Sequence, residues 1–291
     1  MQSRTLRNLS FVAAILLVNH VLVARGWGQE VDAKDDLRVM TFNIRFGAAP
    51  DGDNHWDHRQ ENVITTIKAF APDLLATQEV LAFQSRFLQQ QLDEFTYFGR
   101  SREKQAAGEQ CGVLFRTSRF DLLEQGHFWL SETPNVPGSK SWDSAMSRMV
   151  TWVKLFDRRN EQAVYFLNTH FDHRGQRARE HAARLIVERI GRFEPDVAVI
   201  FAGDLNSAPD SNPAQTLGDT LVDSFASVHA KEEGQGTFNG FRGRKSGPRI
   251  DYVFASKSLK PIAAAIDRRE FEGKTPSDHY PVTAVLRFVE R

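Results

Sequence analysis

The chain has 291 residues, of which 41% are hydrophobic and 25% charged, enough apolar material for a sizeable core in one large domain. Its 37 basic residues equal its 37 acidic residues, and a single cysteine, Cys111, excludes an internal disulfide. Proteins that bind nucleic acid mainly through its phosphates usually carry a clear excess of bases, so long polyanions are not the favoured partners on charge alone.

The N-terminal segment has the features of a secretory signal. Arg4 and Arg7 precede an apolar run at 11–18, and Gly28 suits a cleavage site. The apolar run is too short to favour a transmembrane anchor, which is the alternative interpretation. We therefore expect a secreted or periplasmic protein, monomeric, without an anchor. The predicted organisation is a signal peptide at 1–28, a short linker at 29–36 and a catalytic domain at 37–291.

The first half of the domain alternates apolar strands with amphipathic helices, and two strands end in polar residues. Asn43 ends the first strand and Glu79 ends the second. A carboxylate at a buried strand end costs free energy unless it is paired, so Glu79 needs a cation or a donor. A structural ion pair is the alternative for Glu79. The predicted elements are strands at 37–44, 73–80 and 112–116 and helices at about 57–70, capped by Asp57, and 83–92.

The segment 121–147 interrupts this order with two prolines and a glycine, which predict a long exposed loop. Loops of this length usually carry function, so we expect a substrate-selecting insertion. Arg148 follows it and opens a predicted strand at 149–156. Its side chain is placed to reach a phosphate, although an ordinary surface arginine is an equal alternative.

The next two strands end in groups capable of catalysis. His170 lies near the end of a predicted strand at 163–171, which precedes a long helix ending near Phe193. The segment 197–206 is an apolar run that stops at a glycine and continues with Asp204 and Asn206. If the strand geometry persists, residues two apart point to the same side, so Asp204 and Asn206 converge and orient a water.

The last third of the chain adds a glycine-dense loop at 231–247, in which Phe238 is expected to be exposed. Three more predicted strands follow this loop. Asp251 lies near the start of the first of these, where a charge that protects a sheet edge is the alternative interpretation. Asp278 and His279 are adjacent in the loop before the final strand. The predicted strands are 249–255, 261–266 and 282–288, and 207–213 is predicted to be a turn-rich loop.

Polar groups at so many strand ends predict one pocket that holds carboxylates, imidazoles and amides. Such a set suits a hard divalent cation and a phosphate ester, because Mg²⁺ prefers a few oxygen ligands and keeps several waters. A histidine beside a carboxylate is suited to proton transfer near neutral pH. We therefore expect Mg²⁺, with Mn²⁺ as a substitute, to polarise a phosphoryl oxygen there.

Six motifs carry a resemblance to a known family: Thr-Phe-Asn at 41–43, Gln-Glu at 78–79, Asn-Thr-His at 168–170, Gly-Asp-Leu-Asn at 203–206, Arg-Ile-Asp-Tyr at 249–252 and Ser-Asp-His at 277–279. In this order they resemble the endonuclease/exonuclease/phosphatase superfamily. The resemblance implies a deoxyribonuclease I-like fold, an α/β sandwich of four layers in which two packed, mostly antiparallel sheets are flanked by helices. The segments 128–134 and 169–175 resemble its exported bacterial branch.

The resemblance also implies a role for each motif residue. The general base is left open between Asp204 and His279. Asn206 and His170 each have two implied roles, since both would also contact the phosphate. The implied metal ligands are Asn43, Glu79 and Asp278, the catalytic residues are His170, Asp204, Asn206, Asp251 and His279, and the phosphate-binding residues are Asn206 and His170, to which the position of Arg148 at a strand start adds Arg148.

Three functions are compatible with this pattern. The first is an exported, Mg²⁺-dependent phosphoesterase, favoured as a phosphodiesterase, that acts on a small or membrane-derived phosphoester. The second is a secreted nuclease that degrades DNA or RNA, which requires a basic stripe beside the pocket. The third is a binding module without catalysis, which requires that an acid or base of the set be missing. Since none of these residues is missing, the first function is preferred.

Overall fold

The computed structural model describes residues 34–105, 107–229 and 234–289, and the chain divides into a unit at 1–30 and a unit at 31–291. The predicted signal peptide lies outside the described residues. Two residues of the predicted linker form hydrogen bonds with the domain. Arg119 donates to the carbonyl of Asp35 at 2.7 Å, and Arg287 donates to the carboxylate of Asp36 at 2.7 Å.

The described part of the chain forms two six-stranded sheets. None of its helices is long and apolar enough to span a membrane. The strands are β1 Leu37–Asn43, β2 Leu74–Val80, β3 Phe95–Phe98, β4 Gln110–Arg116, β5 Phe120–Trp129, β6 Met149–Asp157, β7 Gln162–His170, β8 Ala198–Asp204, β9 Val222–Asp223, β10 Asp251–Ala255, β11 Leu259–Ile266 and β12 Val282–Phe288. The helices are α1 Trp56–Phe70, α2 Ala82–Gln91, α3 Gln176–Ile190, α4 Asn212–Gly218 and α5 Ser224–Val228.

The two sheets repeat one arrangement of strands. The first has the order β11-β12-β1-β2-β4-β3 and the second β5-β6-β7-β8-β10-β9. Each is antiparallel except for one central parallel pair, which is β1 with β2 in the first sheet and β7 with β8 in the second. The carboxyl ends of a parallel pair lie at the same sheet edge, which is where open sheets of this kind place ligands.

Three hydrophobic clusters hold four layers together, which confirms the predicted sandwich. One cluster, with Val39 and Ile200 among its members, fills the space between the sheets. A second joins α3 and α4 to the outer face of the second sheet, and a third joins α1 and α2 to the outer face of the first. Period-two alternation explains the division, because successive side chains of a strand point to opposite faces.

Several predicted elements need correction. Phe120–Trp129 is a strand rather than the start of the exposed loop. Its end residues are buried, and its exposed middle lies at the edge of the sheet. The long loop is residues 130–148, called the insertion loop below. Asn212–Gly218 is a helix rather than only turns, with Pro213 in its first turn. Helix α1 is capped by His55, whose ring accepts from the amide of Asp57.

Asp172 anchors the insertion loop to the chain that follows β7. Its carboxylate accepts from the Ser144 hydroxyl at 3.1 Å, from the amides of Ala145 and Met146 at 2.9 and 3.1 Å, and from those of Arg174 and Gly175 at 2.9 and 2.7 Å. Burial alone would raise the pKa of Asp172, but these donors outweigh it and hold the pKa well below its ordinary value.

We expect Asp172→Asn to destabilise the fold by about 2 kcal/mol, because the amide leaves buried donors short of an acceptor. The stabilisation from the charged form is present above the unfolded pKa of about 4, and it is lost as the pH falls through the depressed folded pKa. Chemical denaturation of both proteins at pH 7 and pH 3 measures this, and the difference between them should shrink at pH 3. Asp93→Asn, at an exposed position, is the control.

Candidate active site

The polar residues at the strand ends share one face because of strand periodicity. Ile200 and Ala202 of β8 face the core between the sheets, so Asp204, two residues further, faces the same space. The pairing then aligns its neighbours, since His170 lies opposite Asp204 in the parallel pair and Asp251 lies opposite it across β10. The sequence prediction that these side chains converge is confirmed for these three residues.

Glu79 reaches the site by a departure from regular strand geometry. By alternation its side chain would point away from the space between the sheets, but the register of β2 shifts between Thr77 and Val80 and Glu79 has a φ of 62°. Such a conformation is strained for a residue with a side chain and is typical of functional sites. The Glu79 carboxylate accepts from the Phe46 amide at 2.8 Å and from Asn43 Nδ2 at 3.0 Å.

Gly203 allows β8 to approach β7 immediately before the central carboxylate. Its φ is 148°, and a Cβ at this position would lie 2.1 Å from the Thr169 carbonyl oxygen. Only glycine therefore fits at 203 without displacing β7. The same close approach fixes where the side chain of Asp204 emerges.

Asp204 is the centre of the arrangement. Its Oδ2 lies 3.1 Å from Asn43 Nδ2, 3.5 Å from His170 Nε2 and 3.7 Å from His279 Nε2. Its Oδ1 accepts from the amide of Asn206 at 2.8 Å. Burial and the neighbouring charge of Asp251 raise the pKa of Asp204 to about 7. Because Asn43 also donates to Glu79, the residues Glu79, Asp204 and His279 belong to one cluster.

The two histidines lie in opposite electrostatic surroundings. His279 Nδ1 lies 2.9 Å from Asp251 Oδ2. Burial favours its neutral ring, but the charges of Asp251 and Asp204 outweigh burial and raise the pKa of His279 well above its usual range. Burial, together with the charges of Arg148 and Arg102, lowers the pKa of His170 well below its usual range. At neutral pH His279 is a cation and His170 is neutral.

Three predicted site residues lie differently from the expectation. Asn206 lies beyond the end of β8 with a φ of 47°, and its Nδ2 donates to the Phe171 carbonyl at 3.1 Å. The Asp278 carboxylate faces Arg45, 3.7 Å from its Nη1, although its charge still interacts with Glu79. Arg148 is buried rather than at the surface, lines a small pocket with Glu79 and His170, and has its Nη2 3.3 Å from His173 Nδ1.

Asn43 joins the two halves of the cluster. Its Nδ2 donates to both Glu79 and Asp204, while its Oδ1 accepts from the amide of Arg45 at 3.0 Å. In this orientation Asn43 holds the two carboxylates together and directs its oxygen away from them. Its observed contacts are those of a bridge between carboxylates, whereas the resemblance implied a metal ligand.

Arg45 and Arg59 belong to the site but are not among the residues that the sequence analysis names. Arg45 binds Asp51 through Nε at 2.9 Å and Nη2 at 3.0 Å and faces Asp278, so it neutralises the acidic rim. Arg59 is buried and donates to the Ile44 carbonyl at 2.7 Å and the Pro276 carbonyl at 3.2 Å. The signal in the sequence that could have indicated Arg45 as a site residue is its position two residues after Asn43, the end of β1.

The donor set fits a hard divalent cation. Ligand atoms of Asp204, Asp251 and His279 lie within 4.8 Å of one another, and with the His279 ring protonated the two carboxylates supply the lone pairs of this group. Asp251 Oδ1 is buried and has no hydrogen-bond partner in the described part of the chain. An orphaned carboxylate oxygen of this kind costs free energy, and a cation would satisfy it. Oxygen ligands are also those that Mg²⁺ prefers.

Two stacked sheets whose strand ends gather acids and histidines define a hydrolase of deoxyribonuclease I-like architecture. Residues 40–279 match the model of the Endonuclease/Exonuclease/phosphatase family, and the chain belongs to this family. Its members are hydrolases that act on phosphate esters.

Individual relatives show the range of the family. The chain is 25% identical to Protein angel of Drosophila melanogaster over 267 residues, 80% of this chain and 73% of that protein. An endonuclease/exonuclease/phosphatase family protein from Bacteroides thetaiotaomicron superposes with a TM-score of 0.82 at 29% identity, covering 88% and 98% of the two chains. A mannosyl-6-phosphatase from the same species superposes with a TM-score of 0.79 at 30% identity, covering 87% and 100%.

Proposed function

We propose that this protein is a Mg²⁺-dependent phosphoesterase that hydrolyses a small or membrane-derived phosphate ester, with a phosphodiester as the first expectation. The observation that supports this best is the position of Asp204, whose carboxylate lies between a neutral and a cationic histidine and beside a second buried acid. A hydrolase needs a proton acceptor beside a proton donor, and this arrangement supplies both.

The charge states suggest a division of labour between the two groups that sequence analysis could not separate. His279 holds a proton at Nδ1 against Asp251 and presents Nε2–H toward the centre, so it is the donor to a phosphate oxygen. Asp204 Oδ2 is then the acceptor for the proton of the attacking water. Asn206 orients Asp204 through its backbone amide. His170 Nε2, on the other side of Asp204, is the neutral contact for the phosphate.

Glu79 and the unpaired Oδ1 of Asp251 are the groups that would hold the cation, with Asp278 as a more distant charge, which leaves Asp204 free to take the proton. When bound, Mg²⁺ polarises the phosphoryl oxygen and stabilises the leaving oxygen, and Mn²⁺ is the expected substitute. Arg148 lines a small pocket with Glu79 and His170, and burial, reinforced by the charge of Arg148, lowers the pKa of His170 and favours its neutral imidazole.

A secreted nuclease is the second candidate, supported by a relative described as the CCR4-Not complex 3'-5'-exoribonuclease subunit Ccr4, 26% identical over 141 residues. That match covers 41% of this chain and 21% of the relative. A nuclease of this type would lose activity steeply with added salt, because phosphate contacts release counterions. A binding module without catalysis is disfavoured, since the acid and base groups are present and converge.

A panel of esters tests the proposal: an aryl phosphodiester, a phospholipid, a sugar phosphate and a nucleic acid, each assayed with Mg²⁺ and with EDTA. The sugar monoester is included because one relative is a mannosyl-6-phosphatase. We expect turnover of at least one small ester, loss of activity in EDTA and recovery with excess Mg²⁺ or Mn²⁺. Turnover that EDTA leaves unchanged would contradict metal dependence, and hydrolysis of no ester would contradict the enzyme proposal.

We also propose that the protein is exported and acts as a monomer without a membrane anchor. The support is the charged and then apolar pattern of residues 1–28. Expression of the full chain in a bacterium, followed by fractionation and mass determination, tests this. We expect a mature N-terminus near residue 29 outside the cytoplasm, and an uncleaved chain in the cytoplasm would contradict export.

A further inference from the structure

Phe238 is a large hydrophobic side chain left exposed beside the catalytic centre. The residue is 47% exposed, and its ring centroid lies 5.2 Å from that of His279 at an interplanar angle of 65°. His279 itself is buried. The ring therefore rests one edge on the proton donor and presents the rest of its surface to solvent.

The loop that carries Phe238 is held rigidly by buried neighbours. Phe238 forms a β-bridge with His279, and the Thr237 carbonyl accepts from the Tyr280 amide at 2.8 Å. Thr237 Oγ1 accepts from the amides of Ile250 and Asp251 at 3.0 and 3.3 Å. The Asn239 amide donates to the Asp278 carbonyl at 2.7 Å. The ring is exposed on a fixed support, which is how binding sites hold a contact surface.

An exposed aromatic ring in this position contributes little to folding, because much of its apolar surface stays in water. The exposure of this apolar surface to water is understandable if a bound ligand covers the ring. A flat apolar ring favours another flat or weakly polar ring face, and such contacts strengthen binding beyond the buried area. The place for that second ring is next to the ester bond, since Phe238 borders the group that donates to the phosphate.

We propose that Phe238 selects esters whose alcohol is a six-membered ring, of the pyranose type found in sugar phosphates, by covering one face of that ring. This inference rests on the proposed phosphoesterase function and adds the class of alcohol. Phe238 is a binding residue in this proposal and takes no part in proton transfer. An open-chain alcohol has no persistent flat face and gains less from the contact.

Glucose 6-phosphate and sorbitol 6-phosphate provide a matched pair, because both are primary esters of a six-carbon polyol and only one has a ring. Each is assayed as the monoester and as its methyl diester, with Mg²⁺. We expect the wild-type protein to favour the ring ester in kcat/KM by roughly three- to tenfold, the effect of one ring contact. The difference should lie mainly in KM, since the contact is made before and during the reaction.

Substitutions separate recognition from support of His279. Phe238→Ala and Phe238→Leu should reduce the ring preference to near unity, whereas Phe238→Trp should retain it. Leucine still packs against His279 but lacks a flat face. Leu123→Ala, at a position that is 50% exposed on β5, is the control and should leave both substrates unaffected.

The outcomes are distinguishable from failure of the general function. Equal loss on both substrates in Phe238→Ala, or an unchanged preference in Phe238→Leu, would show that the ring only supports His279 and would overturn the inference. Equal wild-type rates on ring and open-chain esters would also overturn it while leaving a phosphoesterase. If the protein hydrolyses other esters of the panel but none of the four glucose and sorbitol esters, the inference is overturned and the phosphoesterase function remains.

Discussion

Asp204→Asn is expected to lower kcat by on the order of 10³-fold, the usual contribution of a general base or acid. Asparagine keeps the size of the side chain but cannot take a proton from water. It also removes the negative charge that lies 3.5 Å from His170 and 3.7 Å from His279. KM should change little, since the loss falls on the chemical step. Steady-state kinetics on the best ester of the panel, at saturating Mg²⁺, measure it.

The loss should not come from unfolding. Asp204 is buried, and burial and the charge of Asp251 raise its pKa, so the ionised form costs free energy in the folded state. The unfolding midpoint of Asp204→Asn should therefore equal or exceed that of the wild type. Asp210→Asn, six residues further and exposed, is the kinetic control. A decrease below tenfold in kcat for Asp204→Asn would assign the base elsewhere.

Local pattern was sufficient to predict most of the fold. The apolar run before Asp204 and the polar residues of the neighbouring strands place His170 and Asp204 at strand ends and Asp251 at a strand start, all on one face, which is a period-two argument. Strand β5 was missed because it lies at a sheet edge and buries only its end residues. The exposed residues in its middle resemble those of a loop. Helix α4 was missed because Pro213 and its polar neighbours also suit turns.

The details of the site depend on contacts that no local pattern contains. The orientation of Glu79 comes from a bulge and a positive φ, which are imposed by the strands on either side. Asn43 meets Asp204 across 161 residues of sequence, and Arg45 meets Asp278 across an even larger separation. Arg148 is buried beside Asp172, with its Nε 3.8 Å from Asp172 Oδ2, and this pairing depends on the contacts of Asp172 with the insertion loop.

The stability of the fold should depend most on a buried ion network at the end of the sheets opposite the site. Arg119 is fully buried in the turn between β4 and β5. It donates through Nε and Nη2 to Asp157 at 3.0 and 2.8 Å and through Nη1 to Asp73 at 2.9 Å. Asp73 precedes β2 and Asp157 ends β6, so a single side chain ties the first sheet to the second.

Arg119→Met should destabilise the protein by about 3 to 5 kcal/mol, because it leaves the buried Asp157 without its cation and Asp73 with only the more distant Arg116, 3.8 Å away. Urea denaturation at pH 7 measures the loss. The exposed Arg158, paired with the exposed Asp121, is the matched control, and Arg158→Met should cost less than about 1 kcal/mol. Adding Asp157→Asn to Arg119→Met should recover part of the loss, since the stranded charge is removed.

The same variant separates stability from catalysis. Asp73 lies just before β2, whereas Glu79 lies near the other end of that strand. Arg119→Met should therefore keep a near-normal kcat at temperatures well below its lowered unfolding midpoint. Asp204→Asn should show the reverse, a normal midpoint with little activity. If Arg119→Met unfolds within about 1 kcal/mol of the wild type, the network does not hold the two sheets together, and their joint stability comes from the apolar core alone.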